Sequence, residues 1–149
     1  MNKNLFRITF DTAFESVINL CASPRAAEGG TWINNEMIQS YTRLHKMGYA
    51  HSVECWQDDH LVGGLYGVSL GKLFCGESMF SLISDASKIA FVTLVRQLDN
   101  WGFPLIDCQI PNDHLSSLGA CEISREDFIA CLNRYATLPE HGPAVWVRN

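Results

Sequence analysis

The apolar residues at the start of this chain recur with the spacing of a strand followed by a helix. Residues 5–10 are predicted to form a short strand, after which Asp11 is expected to cap a helix. The buried face of that helix would consist of residues three and four positions apart, namely Phe14, Val17, Ile18 and Cys21. Residues 22–30 contain proline and glycine, and we expect them to form a loop.

A second helix and a meander of strands are predicted next. The helix is expected to begin at Asn34 or Asn35 and to end at Gly48. Its inward side chains would be Met37, Ile38, Tyr41 and Leu44. A strand is predicted next, because the alternation of residues 51–56, with His51, Val53 and Cys55 on one side and Ser52, Glu54 and Trp56 on the other, is the period of a strand. Further strands are predicted over residues 61–69 and 72–75.

Glycines interrupt the middle strand of this meander, at Gly63, Gly64 and Gly67. Such glycines indicate a bulge or the close approach of another chain segment. The remaining predicted elements are a helix over 84–100, a strand over 104–108, a short helix over 114–118, a helix after Ser124 and an edge strand within 142–149. Ser124 and Asp127 resemble a capping box for the helix that follows Ser124.

Composition describes one compact domain over residues 1–149. Hydrophobic residues make up 47% of the chain and charged residues 18%, and no run of apolar residues is long enough to span a membrane. The net charge of −5 argues against a large nucleic-acid footprint on this domain by itself. Six cysteines show no C-x-x-C spacing, so neither a zinc site nor a disulfide framework is expected. A reduced, cytoplasmic setting fits these cysteines best.

Polar residues follow two apolar, strand-like segments, and they form the candidate site. The segment from Leu105 leads into Asp107, Gln109, Asn112, Asp113 and His114, and the segment from Leu73 leads into Glu77. Buried polar groups without partners cost about 1–3 kcal/mol each, so such a concentration of them indicates a function. We therefore expect Asp107, Gln109 and Glu77 to share one polar site in an apolar pocket. Turn and cap roles remain equally open for Asn112 and Asp113.

The order of elements is that of an α/β (α+β) acyltransferase domain of the GNAT type. In that fold, helices flank a mixed and mostly antiparallel sheet. An acetyl-CoA enzyme of this type should carry a glycine-rich motif after the meander, where amides at a helix start bind pyrophosphate. Residues 76–88 lack that pattern, and Glu77 would repel a phosphate. An acetyl-CoA enzyme is therefore disfavoured.

Several longer strings carry a resemblance that covers roughly residues 5–135. They are Gly29–Ile33, Tyr41–His45, Gly63–Val68, Phe74–Phe80, Ala86–Lys88, Leu105–Gln109, Asn112–His114 and Ser117–Ile123. In these strings the chain resembles the C-terminal, GNAT-like domain of bacterial leucyl/phenylalanyl-tRNA–protein transferases. The resemblance implies transfer of Leu, Phe or Met from aminoacyl-tRNA to the α-amine of proteins that begin with Arg or Lys, which marks them for degradation.

The resemblance also implies roles for single residues. Leu65 and Phe74 would line the pocket for the transferred side chain, and Trp32 would pack near the terminal adenosine. Glu77 and Asp107 would meet the cationic N-terminal residue of the acceptor, since charge-assisted hydrogen bonds to Arg or Lys are strong.

Catalysis is implied to be aminolysis of an ester, which needs no metal and no cofactor. Gln109, polarised by Asp107, would hydrogen-bond the attacking amine, and a ribose hydroxyl of the substrate is a rival route for the proton. Asn112 and Ser117 would support the loop or donate to the ester oxygen. His114 is a candidate base or a structural hydrogen-bonder, and Cys108 is assigned to the core.

Departures from the family leave three hypotheses. The family's tryptophan-rich N-terminal motif and its basic helix for the tRNA acceptor stem do not occur in this sequence, so we expect either a fragment or a naturally short homologue. The first hypothesis is an aminoacyl-tRNA-dependent transferase, expected to be a monomer. The second is a non-catalytic module that binds N-terminal Arg or Lys. The third is an acyltransferase that uses a small activated donor such as acyl-CoA.

Overall fold

The structure, a computed structural model, describes residues 6–27, 34–103, 105–107 and 124–135. Its strands are β1 (Arg7–Phe10), β2 (Ala50–Gln57), β3 (His60–Leu70), β4 (Leu73–Ser81) and β5 (Leu105–Asp107). Its helices are α1 (Phe14–Ala27), α2 (Asn35–Lys46), α3 (Ala86–Asn100) and α4 (Arg125–Tyr135). Asn34 caps α2 by accepting a hydrogen bond from the Met37 amide, and Ser124 accepts one from the Asp127 amide at the start of α4.

The five strands form one sheet in the order β1-β2-β3-β4-β5. All neighbours are antiparallel except β4 and β5, which are parallel, so the prediction of a mixed and mostly antiparallel sheet is confirmed. Tight turns join β2 to β3 and β3 to β4, whereas α3 lies between β4 and the parallel β5. Asp58, Asp59 and Gly71 have positive φ in these turns, as two-residue hairpin turns require.

Helices cover both faces of the sheet, and each face has its own apolar cluster. Residues of α3 pack on one face against β2, β3 and β4, and the cluster includes Phe10, Val53, Leu65, Phe74, Phe91, Leu94 and Leu98. The other face packs against α1 and α2, through Phe14, Val17, Ile18, Cys21, Tyr66 and Phe80. The predicted inward face of α1 is confirmed, because its four residues are buried. Of the α2 face, Ile38, Tyr41 and Leu44 pack against this second cluster.

Close approach explains the glycines of β3. A Cβ atom on Gly63 would lie 2.6 Å from the Cβ of Ala86, so this glycine allows α3 to rest on the sheet. A Cβ atom on Gly64 would lie 2.6 Å from the carbonyl oxygen of Val53 in β2. The prediction that other chain segments approach these positions closely is therefore confirmed.

Three local predictions differ from the structure. Helix α1 continues through Ala27, where the sequence predicts a loop from residue 22, because Leu20 and Ala22 still pack against the α1 and α2 cluster. Strand β4 extends to Ser81 rather than ending at residue 75. Asp11 does not cap α1, because its carboxylate accepts a hydrogen bond from the Ser52 amide at 2.8 Å. The predicted elements over 114–118 and 142–149 lie outside the described residues.

Candidate functional site

Glu77 occupies a bulge in the middle of β4. Tyr66 pairs with Ser78 and the next residue, Gly67, pairs with Gly76, so Glu77 is the extra residue between two successive pairs of the β3–β4 register. The sequence predicts Glu77 just beyond a strand end, and that position is wrong, since β4 runs from Leu73 to Ser81. Bulges re-aim side chains, and they are common beside active sites.

Tyr41 of α2 contacts the Glu77 side chain. Burial raises the pKa of the Tyr41 hydroxyl, the negative charge of Glu77 raises it further, and a hydrogen bond to the Glu77 side chain adds to the effect, so that the pKa reaches about 12. The hydroxyl is therefore protonated at neutral pH and donates to the carboxylate. This contact places the Glu77 carboxylate on the side of the sheet that α1 and α2 cover.

An aromatic cluster surrounds the tyrosine. The rings of Tyr41 and Tyr66 meet edge to face with centroids 5.3 Å apart, and Phe14 meets Tyr66 in the same way at 5.8 Å. Phe14 in turn stacks on His45 with centroids 4.4 Å apart. Such edge-to-face pairs hold rings in a preferred orientation. The Tyr41 hydroxyl is thus fixed over the bulge by packing as well as by Glu77.

Asp107 lies on the strand beside the bulge. In the parallel pair of β4 and β5, Asp107 is in register with Cys75, two residues before Glu77. Neighbouring strands are about 4.8 Å apart, so the backbones that carry the two acids lie close together. The structure therefore brings Glu77 and Asp107 to neighbouring strands, which the sequence pattern alone suggests only through the similarity of the two segments.

Leu65 and Phe74, predicted to line an apolar pocket, are buried in the cluster under α3. Their exposed fractions are 3% and 0%, and Met79 and Phe91 belong to the same cluster. Glu77 reaches Tyr41 on the opposite face, so the predicted pocket and the carboxylate belong to different faces of the sheet at β4. Trp32, Gln109, Asn112 and Ser117, together with Cys108 and His114, lie outside the described residues.

A second polar cluster, which the sequence analysis does not single out, lies between β1 and β2. Glu54 has no exposed surface, and its carboxylate accepts hydrogen bonds from the hydroxyls of Thr9, Thr12 and Ser52 and from the Thr12 amide. Alternation along β2 predicts Glu54 on the same side as Ser52 and Trp56, and the structure buries Glu54 there. The available signal is a single carboxylate within a β2 segment rich in apolar residues.

Two histidines meet Asp11 beside this cluster. His51 Nδ1 lies 2.8 Å from one carboxylate oxygen of Asp11, and His45 Nδ1 lies 3.7 Å from the other. Asp11 has a φ of 58°, a strained value for a residue with a side chain, which these contacts hold in place. Asp11 precedes α1, His45 lies in the last turn of α2 and His51 is the second residue of β2, so the cluster links three elements.

Within the described residues, no group of three or more His, Cys, Asp or Glu side chains is arranged to hold a metal ion. None of the helices there is both long and apolar enough to cross a membrane.

Solved structures with the same architecture define the class of fold. An aminoglycoside acetyltransferase from an uncultured soil metagenomic sample has a TM-score of 0.62 at 14% identity, covering 82% of this chain and 93% of that one. A second aminoglycoside N-acetyltransferase, solved in complex with CoA, has a TM-score of 0.57 at 15% identity and covers 80% and 90% of the two chains. The chain therefore has the α/β fold of the GNAT acetyltransferases, and at these identities the likeness shows the fold alone.

Sequence comparison assigns the chain to one family within that fold class. The family described as leucyl/phenylalanyl-tRNA protein transferase matches residues 1–133. A leucyl/phenylalanyl-tRNA–protein transferase of Cellvibrio japonicus is 57% identical over 146 residues, which is 98% of this chain and 62% of that protein. One from Nitrosospira multiformis is 56% identical over 142 residues, 95% of this chain and 61% of that protein. The chain belongs to the leucyl/phenylalanyl-tRNA–protein transferase family, and it spans about three fifths of the length of these relatives.

Proposed function

We propose that this chain transfers Leu, Phe or Met from aminoacyl-tRNA to the α-amine of a protein that begins with Arg or Lys. The observation that carries the proposal is the placement of Glu77 and Asp107 on neighbouring strands, within a chain that belongs to the transferase family. Two acidic residues on neighbouring strands suit a cationic acceptor, because charge-assisted hydrogen bonds to guanidinium or ammonium are strong and directional.

The reaction requires that one bond forms and one breaks. The neutral α-amine of the acceptor attacks the ester carbonyl carbon, a C–N bond forms, and the bond from that carbon to the ribose oxygen breaks. The amine loses a proton and the released ribose oxygen gains one, so charge and atoms balance. Gln109, polarised by Asp107, would accept a hydrogen bond from the attacking amine, and a neighbouring ribose hydroxyl would relay the proton.

Further residues would bind the donor. Leu65 and Phe74 would form the floor of the pocket for the transferred side chain, and burial of a leucine side chain supplies about 1.5–3 kcal/mol. Trp32 would pack near the terminal adenosine, and Asn112 and Ser117 would support the loop or donate to the ester oxygen. We propose that the protein acts in the cytoplasm and as a monomer.

The proposal is tested by transfer of radiolabelled leucine from Leu-tRNA to an Arg-starting peptide. Asp107→Asn keeps the shape of the side chain and removes its charge, and we expect transfer to fall by about 100-fold or more. Asp99→Asn is the matched control, because Asp99 is an exposed residue of α3 and transfer should be unchanged. Full transfer by Asp107→Asn would contradict the role of Asp107.

A different outcome would support a binding module instead of an enzyme. If the unaltered protein shows no transfer but binds the Arg-starting peptide more tightly than an Ala-starting one, the chain recognises N-termini without catalysis.

A further inference from the structure

We propose that the groove between α1 and α2 binds a free α-amino acid with an apolar side chain. The groove encloses a cavity of about 460 Å³, and small-molecule sites measure about 300–1,000 Å³. The residues that line it belong to α1 and α2, whereas Glu77 and Asp107 lie on β4 and β5. The groove is therefore a second site, and its ligand does not depend on the transfer reaction.

Charges of both signs line this groove. Arg43 and Lys46 come from the last turn of α2, and Glu15 comes from the first turn of α1. Each charge complements the dipole of its own helix, which explains the sign of the charge at each helix end. Within the described residues, however, neither cation forms an ion pair with Glu15, so the opposite charges lie apart across the groove. A ligand that carries both charges can bridge them.

This arrangement excludes ligands of a single charge. A phosphate or another anion would be repelled by the carboxylate of Glu15, and a simple cation would be repelled by Arg43 and Lys46. A zwitterion can place its carboxylate beside the two cations and its ammonium beside Glu15, so that both interactions are attractive. A free α-amino acid carries both groups on one carbon atom, and it is small enough for the cavity. The charges of the groove therefore fit a free amino acid.

Uncharged residues complete the site. Asn19 Nδ2 donates a hydrogen bond to the main-chain oxygen of Glu15 at 2.7 Å, and the side-chain oxygen of Asn19 is an acceptor for an ammonium. Ile38 is half-buried and packs against the α1 and α2 cluster, so its remaining surface offers an apolar contact to the side chain of the ligand. Thr42 lies one turn beyond Ile38 and adds a hydroxyl beside Arg43.

The affinity should be modest. Glu15, Arg43 and Lys46 are exposed, so water and salt weaken their attraction for a ligand. We expect a Kd of about 1 mM for leucine.

The test is an NMR titration of the isotope-labelled protein, because amide chemical shifts report both affinity and place of binding. L-Leucine would be compared with leucinamide, which lacks the carboxylate, with N-acetylleucine, which lacks the ammonium, with glycine and with inorganic phosphate. The variants are Glu15→Gln and Arg43→Gln. Their matched controls are Glu36→Gln and Arg96→Gln, exposed helical residues that do not line the groove. The spectrum of each variant shows directly whether it is folded.

Leucine should shift the amides of α1 and α2 around the groove. Leucinamide and N-acetylleucine should each bind about threefold to fivefold more weakly, the effect of one exposed ion pair. Glu15→Gln should weaken leucine by the same factor but leave N-acetylleucine unchanged, and Arg43→Gln should weaken leucine without weakening leucinamide. Glycine should bind more weakly than leucine, because it has no side chain to cover Ile38. Both control variants should bind leucine like the unaltered protein.

Several results would overturn the proposal, and each would be distinct. An absence of shifts up to about 20 mM leucine would show that the groove holds no amino acid. Shifts confined to residues around Leu65 and Phe74 would place leucine in the proposed donor pocket instead. Phosphate binding as tight as leucine binding would make the groove an anion site. An equal loss in the variants and their controls would show an effect of net charge rather than a contact.

Discussion

Replacement of Glu54 by alanine should destabilise this protein more than removal of most other carboxylates. Glu54 is fully buried, and it accepts hydrogen bonds from Thr9 Oγ1 at 2.6 Å, Thr12 Oγ1 at 2.7 Å, the Thr12 amide at 3.2 Å, and the Ser52 hydroxyl. The hydroxyls can rotate to other acceptors, since those of Thr9 and Thr12 already lie 2.8 Å apart. The Thr12 amide cannot rotate.

The magnitude follows from these contacts. A buried donor that is left without an acceptor costs about 1–3 kcal/mol, and the cavity left by the missing side-chain atoms adds about 2 kcal/mol. We therefore expect Glu54→Ala to lower the free energy of unfolding by about 3–5 kcal/mol. Glu54→Gln keeps the shape and one acceptor oxygen but opposes its amide hydrogens to existing donors, so a loss of about 1–2 kcal/mol is expected.

Urea unfolding, followed by tryptophan fluorescence and circular dichroism, would measure both losses. Glu36→Ala is a suitable control, because Glu36 is exposed in the first turn of α2 and its removal should cost about 1 kcal/mol or less. A loss for Glu54→Ala no greater than that for Glu36→Ala would refute the argument that hydrogen bonds to Glu54 hold β1 against β2. A Glu54→Gln loss equal to that of Glu54→Ala would show that charge, rather than the number of hydrogen bonds, matters there.

Two further predictions concern packing and pH. Gly67→Ala should lower the free energy of unfolding by about 1–3 kcal/mol in the same urea assay, because its Cβ would lie 2.6 Å from Phe74 Cζ and against the Cys75 carbonyl oxygen. An unchanged urea midpoint would show that β4 shifts to accommodate the Cβ without loss of stability. In alkali, burial raises the pKa of the Cys55 thiol from 9.0 to about 11, and burial with Glu77 raises the pKa of Tyr41 from 10.0 to about 12. Since the unfolded chain then loses these protons first, stability is full below about pH 9 and falls as pH rises toward 12. The free energy of unfolding of Tyr41→Phe should fall less between pH 10 and 12 than that of the unaltered protein. An identical fall in the two proteins would contradict the raised pKa of Tyr41.

Sequence periodicity predicts the parts of the fold that a repeating pattern defines. The inward face of α1 follows from residues three and four positions apart, and Asn34, one of two candidates for the start of α2, is its cap. The glycines of β3 indicate close approach, and each would clash with a neighbour if it carried a Cβ. Local pattern and tertiary packing agree at these positions, so the pattern suffices.

The rest of the candidate site depends on register, which no local pattern contains. The sequence pattern puts Glu77 beyond a strand end because a glycine and a carboxylate interrupt the apolar run, whereas β4 continues through them by means of the bulge. Tyr41 lies on the inward face of α2 as predicted, but its partner Glu77 is far away in sequence and is reached only because the sheet brings the bulge beneath the helix. Likewise, Pro24 suggests a loop, yet α1 runs through it from Phe14 to Ala27.

The parallel strand β5 has a consequence for how this family can change. It contributes three residues to the sheet and, among the described strands, pairs only with β4, whereas the two apolar clusters lie between the longer strands and the helices. Among the described strands, the acid on β5 thus lies where the backbone pairing is least extensive. Under the function proposed above, we therefore predict that substitutions on β5 change the preference for acceptor or donor at a smaller cost in stability than substitutions in the two apolar clusters.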